Sequence, residues 1–267
     1  VIREALTAAT DALRAIGVED PRLDAEVMLA EATGWSRAAL VADPQAELPP
    51  VASRLFGEMV RRRLRREPVA YIVGRRGFRN IELAVDRRVL IPRPETELLV
   101  EIALEREPAT LLDVGTGSGA IALAAATELA DCEIAATDTS GDALEAARAN
   151  AHRLGLEDRV RFLPGTVPPE EDFELILANL PYVTEADWPS LQPEVAQWEP
   201  RQALVSGADG LDAIRALIPL VEVGVLALEV GEGQAEAVRG LLRDAGFAAI
   251  ETRPDLAGIE RVVLGER

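Results

Sequence analysis

The first seventy residues carry apolar positions at helical spacing. Ile2, Leu6, Ala9, Leu13 and Ile16 recur at steps of three and four, and Gly17 ends the run. A second helix is expected over 24–32, with Ala25, Val27, Met28 and Leu29 inside and Gly34 behind it. A short piece follows around 36–41. Pro49-Pro50 then opens a long helix through Phe56, Met59, Val60 and Leu64. Strand-type alternation is absent, so residues 1–70 read as a small helical bundle. Between 68 and 92 the pattern changes. Tyr71, Ile72 and Val73 are β-prone, and Gly74 and Gly77 interrupt the chain. Phe78, Ile81, Leu83 and Val85, then Val89, Leu90 and Ile91, read as two short strands around Asp86-Arg87-Arg88. A β-hairpin linker over 71–92 is expected.

From Pro94 the chain alternates. Strands are expected over 110–114, 134–137, 160–163, 173–178, 225–230, 248–252 and 261–264. Helices are expected over 95–105, 120–129, 142–154, 211–221 and 234–244. This order predicts an α/β, Rossmann-like domain over 93–267, built on a mostly parallel seven-stranded sheet.

Composition narrows the function. The 267 residues are 48% hydrophobic and 28% charged, an ordinary globular mix. One Cys (Cys132) and one His (His152) exclude a disulfide framework and a Cys- or His-rich metal site, so no metal is expected. The net charge of -18 argues against a grip on bare nucleic acid through phosphates. All 28 basic residues are Arg. No apolar run approaches the ~20 residues of a membrane span, so a soluble, cytoplasmic chain with no membrane partner is expected.

Candidate chemistry begins at Asp113-Val114-Gly115-Thr116-Gly117-Ser118-Gly119, a strand running into a Gly-rich turn and then a helix. Glycines there let the backbone turn and approach a ligand. A second strand ends in Asp138, placed to accept from ribose hydroxyls. Gly115, Gly117 and Ala120 also satisfy the dinucleotide spacing. Asp113 decides between the two: a carboxylate repels a pyrophosphate and suits the sulfonium and ammonium of S-adenosylmethionine (SAM).

A buried strand then ends in Asn179-Leu180-Pro181-Tyr182. On the expected topology it neighbours the Gly-loop strand, and the two loops face one cleft. The tetrad suits methyl transfer to a planar nitrogen. The Asn179 side-chain carbonyl and the Leu180 backbone carbonyl can each accept one N–H of that nitrogen. Pro181 fixes the turn and Tyr182 can pack on the planar group. Near-attack positioning of this kind contributes roughly 7–11 kcal/mol.

These residues, with Glu67 to Gly74, Phe78, the run Val89-Leu90-Ile91-Pro92-Arg93-Pro94-Glu95-Thr96-Glu97, and the segment from Leu191 to Leu211, resemble the HemK/PrmC family of release-factor glutamine methyltransferases. The resemblance implies a SAM-dependent enzyme with a substrate-recognising helical N-terminal domain. Its substrate would be the glutamine N5 in the Gly-Gly-Gln loop of class I peptide-chain release factors, supporting translation termination. It implies that Asp113, Gly115, Thr116, Gly117, Ser118, Gly119, Asp138 and Asn179 bind SAM, and that Asn179, Leu180, Pro181 and Tyr182 hold the glutamine amide. No nucleic acid is required, and a monomer is expected.

Two positions depart from the family pattern. Leu180 stands where the family usually has proline, a form also seen in rRNA adenine dimethyltransferases. Thr166 and Val167 stand where an acid and an aromatic often meet SAM, and Val167 is the expected adenine contact. Adenine N6 in nucleic acid, or a non-catalytic SAM-binding assembly factor, therefore stay open as alternatives.

Other features have plainer readings. Arg61, Arg62, Arg63, Arg65 and Arg66 make either a solvated face or a docking site for an acidic partner. Cys132 reads as a buried apolar residue and His152 as a helix-end cation. Trp188 and Trp198 read as packing residues, one of them at a substrate entrance. Arg93 and Glu95 are either in the cleft or in ion pairs.

Overall fold

The computed structural model describes residues 1–168 and 170–267. Its elements run α1 (Ile2–Ala15), α2 (Pro21–Thr33), α3 (Arg37–Ala42), α4 (Pro50–Leu64), α5 (Val69–Val73), β1 (Arg75–Phe78), β2 (Ile81–Ala84), α6 (Glu97–Arg106), β3 (Thr110–Val114) and α7 (Ala120–Glu128). They continue with β4 (Glu133–Asp138), α8 (Gly141–Leu154), β5 (Val160–Pro164), β6 (Leu175–Ala178), α9 (Pro193–Trp198), α10 (Asp212–Leu217), β7 (Val225–Glu229), α11 (Ala235–Asp244), β8 (Ala248–Pro254) and β9 (Glu260–Glu266). No helix among the described residues is long and apolar enough to cross a membrane.

The chain forms two compact units. The first holds Val1–Arg75 and Gln192–Trp198; the second holds Arg76–Leu191 and Glu199–Arg267.

The helical unit is built on one apolar seam: Ile2, Leu6 and Leu13 of α1, Met28 and Leu29 of α2, Leu40, Phe56 and Ile72. Helix ends follow local chemistry. Pro21 opens α2, and Gly34 closes it in the left-handed region at φ 70°. The Ser36 hydroxyl accepts from the Ala39 amide 3.2 Å away and caps α3. The Arg run is largely consumed here. Arg62 holds Glu67 at 2.6 Å. Arg63 holds Asp24 and Glu194, both at 2.7 Å, and Arg66 holds Glu194 at 2.7 Å. Only Arg61 and Arg65 of the run are exposed.

The second unit is a seven-stranded sheet in the order β5-β4-β3-β6-β7-β9-β8. Strands β3 to β7 are parallel, and β9 runs antiparallel to both β7 and β8. The strand order reverses at β3, with β4 on one side and β6 on the other. That switch point is where open α/β sheets bind ligands, beyond the carboxyl ends of the strands. All four residues of β6 are buried, as are the last four of β3, so both loops leave the sheet from a rigid base.

Two sequence expectations change. Tyr71, Ile72 and Val73 form α5 rather than strand: Pro68 precedes it, Gly74 at φ 76° closes it, and Tyr71 and Ile72 are buried. The hairpin is β1–β2, turning at Arg79-Asn80 rather than at 86–88. In β2, Ile81 and Leu83 point inward while Glu82 and Ala84 are exposed. Residues 89–91 stay irregular, because the Ile91 amide donates to the Glu199 carboxylate (3.0 Å) rather than to a strand.

Candidate functional site

The Gly-rich loop is held by backbone and by one carboxylate. Gly115, Gly117 and Gly119 all have positive φ, at 77°, 55° and 86°. The amides of Gly115 and Thr116 both donate to the Thr137 carbonyl, at 2.8 and 2.9 Å. Asp138 accepts from the Gly117 amide through one oxygen (2.9 Å) and from the Ser140 amide through the other (2.8 Å). An ionised carboxylate has about four lone-pair sites, so acceptor capacity remains on Asp138.

Asp113 lies beneath the loop, fully buried. Its Oδ2 accepts from the Thr116 hydroxyl (2.6 Å) and the Ala122 amide (3.2 Å). Its Oδ1 has no partner among the described residues. Burial pushes its carboxyl up to about 7, against the pull of those two hydrogen bonds. Asn150, which the sequence reading did not single out, braces the same loop. Its Nδ2 donates to the carbonyls of Ser118 (2.9 Å) and Ala84 (3.0 Å), and its Oδ1 accepts from the Ala84 amide (2.7 Å). A lone Asn inside a helix pattern carries no local signal of such a role.

The tetrad sits opposite. A Cβ on Gly115 would stand 3.1 Å from Leu180 Cδ2 and 3.8 Å from the Asn179 carbonyl, so the loops nearly touch. The Asn179 Nδ2 donates to the Thr96 hydroxyl at 2.9 Å. Among the described residues, no donor is hydrogen-bonded to Asn179 Oδ1 or to the Leu180 carbonyl. Tyr182 is half-buried, does not line the cleft, and donates from its hydroxyl to Glu229 Oε1 at 3.4 Å. Burial, with the Glu229 charge adding to it, pushes the Tyr182 phenol up to about 12, so it stays protonated. Glu229 is itself buried, and burial pushes its carboxyl up to about 7.

A cleft joins these parts. It is lined by Gly115, Gly117, Asp138, Asn179, Leu180 and Pro181 together with Arg88, Val89, Leu90, Thr166, Gln202 and Ala203. Of the expected cofactor contacts, Asp113, Thr116, Ser118 and Gly119 are buried and do not line the cleft. Val167, the expected adenine contact, does not line the cleft: Thr166 does, while Val167 is partly buried and packs against the sheet core. An apolar side chain two residues past Gly165 is drawn into that core, which leaves the cleft to threonine.

The segment after the tetrad is tied down by close packing. The Val183 amide donates to the Leu204 carbonyl (2.8 Å), and the Ser206 amide returns to the Val183 carbonyl (2.9 Å). Gln234 Nε2 donates to the Tyr182 carbonyl at 2.9 Å. Gly210, at φ 78°, lies so close that a Cβ would sit 2.1 Å from the same carbonyl. Arg93 pairs with the buried Glu199 at 2.5 Å and does not line the cleft. Trp188 lies under the Arg201 guanidinium, 5.8 Å from its ring centre, and Trp198 belongs to the helical unit, donating to the Arg65 carbonyl at 3.3 Å. Cys132 is buried, and desolvation pushes its thiol up to about 11.

Comparison with known proteins places this architecture. Residues 4–74 match the model of the PrmC N-terminal domain, and residues 96–182 match that of the ribosomal protein L11 methyltransferase (PrmA) family. The release factor glutamine methyltransferase of Caulobacter vibrioides is 41% identical over 98% of this chain and 95% of its own length. That of Moorella thermoacetica is 42% identical over 100% of this chain and 98% of its own. Among solved structures, the hMettl16 catalytic domain in complex with MAT2A 3'UTR hairpin 6 superposes with a TM-score of 0.57 at 14% identity, covering 69% of this chain and 74% of that one. Its likeness is one of fold. Identity above 40% along essentially the whole length is decisive: this chain belongs to the family of release factor glutamine methyltransferases.

Proposed function

We propose that this chain transfers a methyl group from SAM to the side-chain amide nitrogen of the glutamine in the Gly-Gly-Gln loop of class I release factors. The observation that carries the reading is the polarity of Asn179. Its Nδ2 is occupied by Thr96, which leaves Oδ1 as the end available to a substrate, beside the Leu180 carbonyl. Two acceptors side by side match the two N–H bonds of a primary amide and nothing that lacks donors.

The residues fit the methyl donor. The Gly115 to Gly119 backbone is open at Gly117, where a Cβ would meet nothing within 4 Å. Asp138 has acceptor capacity for ribose hydroxyls. Val89, Leu90 and Ala203 give the cleft an apolar wall for a heterocycle. Asp113 leaves a buried carboxylate oxygen unpartnered under the loop, which favours a cation nearby. SAM, when bound, supplies an electrophilic methyl carbon on a positively charged sulfur.

The protein's own residues do the rest. Asn179 and Leu180 hold the amide nitrogen by its two hydrogens, so its lone pair is turned toward the methyl carbon. They also favour pyramidalisation, because accepted N–H bonds draw the hydrogens out of the amide plane. No side chain is needed as a base beforehand: the amide nitrogen becomes strongly acidic only once it carries the extra carbon. The orientation is pre-set by the buried strand β6 and by Pro181, so little ordering is left to the moment of transfer.

The test is direct. Purified protein, isotope-labelled SAM and a folded release factor are incubated and the factor is digested. One methyl group on the Gly-Gly-Gln glutamine is expected in the peptide mass spectrum. Absence of label on a folded factor refutes the reading.

A further inference from the structure

The two acceptors of the amide grip are held differently. Asn179 has a side-chain anchor in Thr96 at 2.9 Å. The Leu180 carbonyl has none, and it belongs to the Leu180–Pro181 peptide, whose nitrogen carries no hydrogen. That peptide plane cannot be fixed by donating to a neighbour, as most peptide planes are. Its direction has to come from the chain on either side. Upstream lies β6, paired through Ala178 to Val114 of β3 and Leu228 of β7. Downstream, the first fixed point is the Tyr182 carbonyl.

Gln234, at the start of α11, makes that fixed point. Its Nε2 donates to the Tyr182 carbonyl at 2.9 Å and to the Asp209 carbonyl at 3.2 Å, and its Oε1 accepts from the Gly231 amide at 2.8 Å. One carboxamide thus ties three stretches of backbone together. Two glycines make room for it: a Cβ on Gly210 would stand 2.6 Å from Gln234 Nε2, and one on Gly231 would stand 2.8 Å from Oε1. The Tyr182–Val183 peptide is held on its other edge as well, where the Val183 amide donates to the Leu204 carbonyl at 2.8 Å. We propose that Gln234 is a positioning residue for the methyl transfer: by pinning the Tyr182 carbonyl it sets the direction of the Leu180 carbonyl, the acceptor with no anchor of its own. This deepens the reading of the tetrad as the glutamine grip and rests on it.

The reach is short. Pro181 locks its own φ and confines Leu180 to extended backbone. With Ala178 held at one end and the Tyr182–Val183 plane at the other, few soft torsions remain between them. A turn of that plane passes to the Leu180 carbonyl. The polarity of Gln234 is over-determined too. Turned end for end, its oxygen would face two carbonyls and its NH2 group an amide N–H, so every contact would be mismatched. Glutamate has the same shape but, ionised, only accepts; methionine has the reach but donates nothing.

The experiment uses the full chain with SAM and a folded release factor. In Gln234→Met, kcat is expected to fall ~10-fold, the loss of one well-placed hydrogen bond. In Gln234→Glu, where a carboxylate faces two carbonyls, it is expected to fall ~10²-fold, the scale for a small misplacement of a reacting group. SAM affinity, read by calorimetry without substrate, is expected within ~3-fold of wild type in both, because the Gly-rich loop keeps its backbone bonds. A substrate-free readout comes from the chain's one Asn–Leu pair, Asn179-Leu180. With 13C-carbonyl Asn and 15N Leu, the Leu180 amide is the single signal that carries both labels. It is expected to move or split in Gln234→Met.

Wild-type kcat in either variant overturns the proposal. So does a SAM affinity that falls as far as kcat, the mark of general damage to the fold, or a Leu180 signal indifferent to Gln234→Met. Should Gln234→Glu not fold, Gln234→Met and its Leu180 signal still decide it. If wild type labels no glutamine, the proposed function fails, while the Leu180 signal still tests Gln234.

Discussion

Two loops meet at the cleft, each following a buried parallel strand, and they are held in opposite ways. The loop after β3 is fixed by its own backbone: three glycines at positive φ, amides on the Thr137 carbonyl and on Asp138. The loop after β6 is fixed by side chains from far away in sequence, Thr96 at 83 residues and Glu229 at 47. A backbone grip is tolerant of side chains and suits a ligand shared by many enzymes. A side-chain grip sets donor and acceptor direction, which is what selecting one chemical group demands.

That contrast can be broken from either side, and the largest effect is expected at Asn179. Asn179→Ala should lower kcat by about 10²–10³-fold, the scale for removing one oriented group at a reacting centre. SAM affinity, read by calorimetry, should stay within a few-fold, because the Gly loop keeps its backbone bonds. A matched loss of SAM affinity would mean that the two loops are one site.

Next in size is the buried carboxyl beneath the backbone loop. Asp113 is held up at about 7 by burial, against 3.8 when unfolded. Between those values the native state binds more protons than the unfolded chain, so stability present at pH 4 is lost as pH rises to about 7. The wild-type advantage over Asp113→Asn should therefore shrink by on the order of 4 kcal/mol across that window. Denaturant unfolding at pH 4, 5.5 and 8 measures it, and a difference that grows with pH would contradict the assignment.

Smaller again is Gly115→Ala, placed where the loops touch. Its φ of 77° and a contact of 3.1 Å to Leu180 Cδ2 make the substitution strained. A loss of about 1–2 kcal/mol in stability is expected. Because the strain is shared, SAM affinity and kcat should fall together, unlike the split expected for Asn179→Ala. Smallest is Asp138→Asn, which leaves one of two amides facing an NH2 group. SAM affinity should weaken ~10-fold, with kcat at saturating SAM little changed. A kcat loss larger than the affinity loss would place Asp138 in the chemistry.

Legibility followed the same division. The Gly loop could be read because glycine spacing after an apolar run is a local signature, and Asp138 because it ends the next strand. The tetrad was legible for the same reason: polar residues directly after a run of buried ones. Its supports were not. Thr96 lies in a family-like run but gives no local hint that its hydroxyl meets Asn179. Glu229 is one acid at the end of an apolar strand, and Asn150 one polar residue in a helix. The hairpin was misplaced because Val89, Leu90 and Ile91 have strand composition, and only the distant Glu199 shows that their amides go elsewhere. Val167 was chosen over Thr166 because spacing cannot say which side of a turn faces the core.

By itself the sequence determined the helical start, the alternating sheet, the glycine conformations and the residue types at the two loops. These are properties of neighbours within a few positions, where periodicity and backbone sterics act. The tertiary structure decided which polar atom faces which, including the polarity of Asn179 and the buried carboxyls of Asp113 and Glu229. Such pairings join residues dozens of positions apart, and burial, which gives them their strength and their shifted protonation, exists only once the sheet has closed over them.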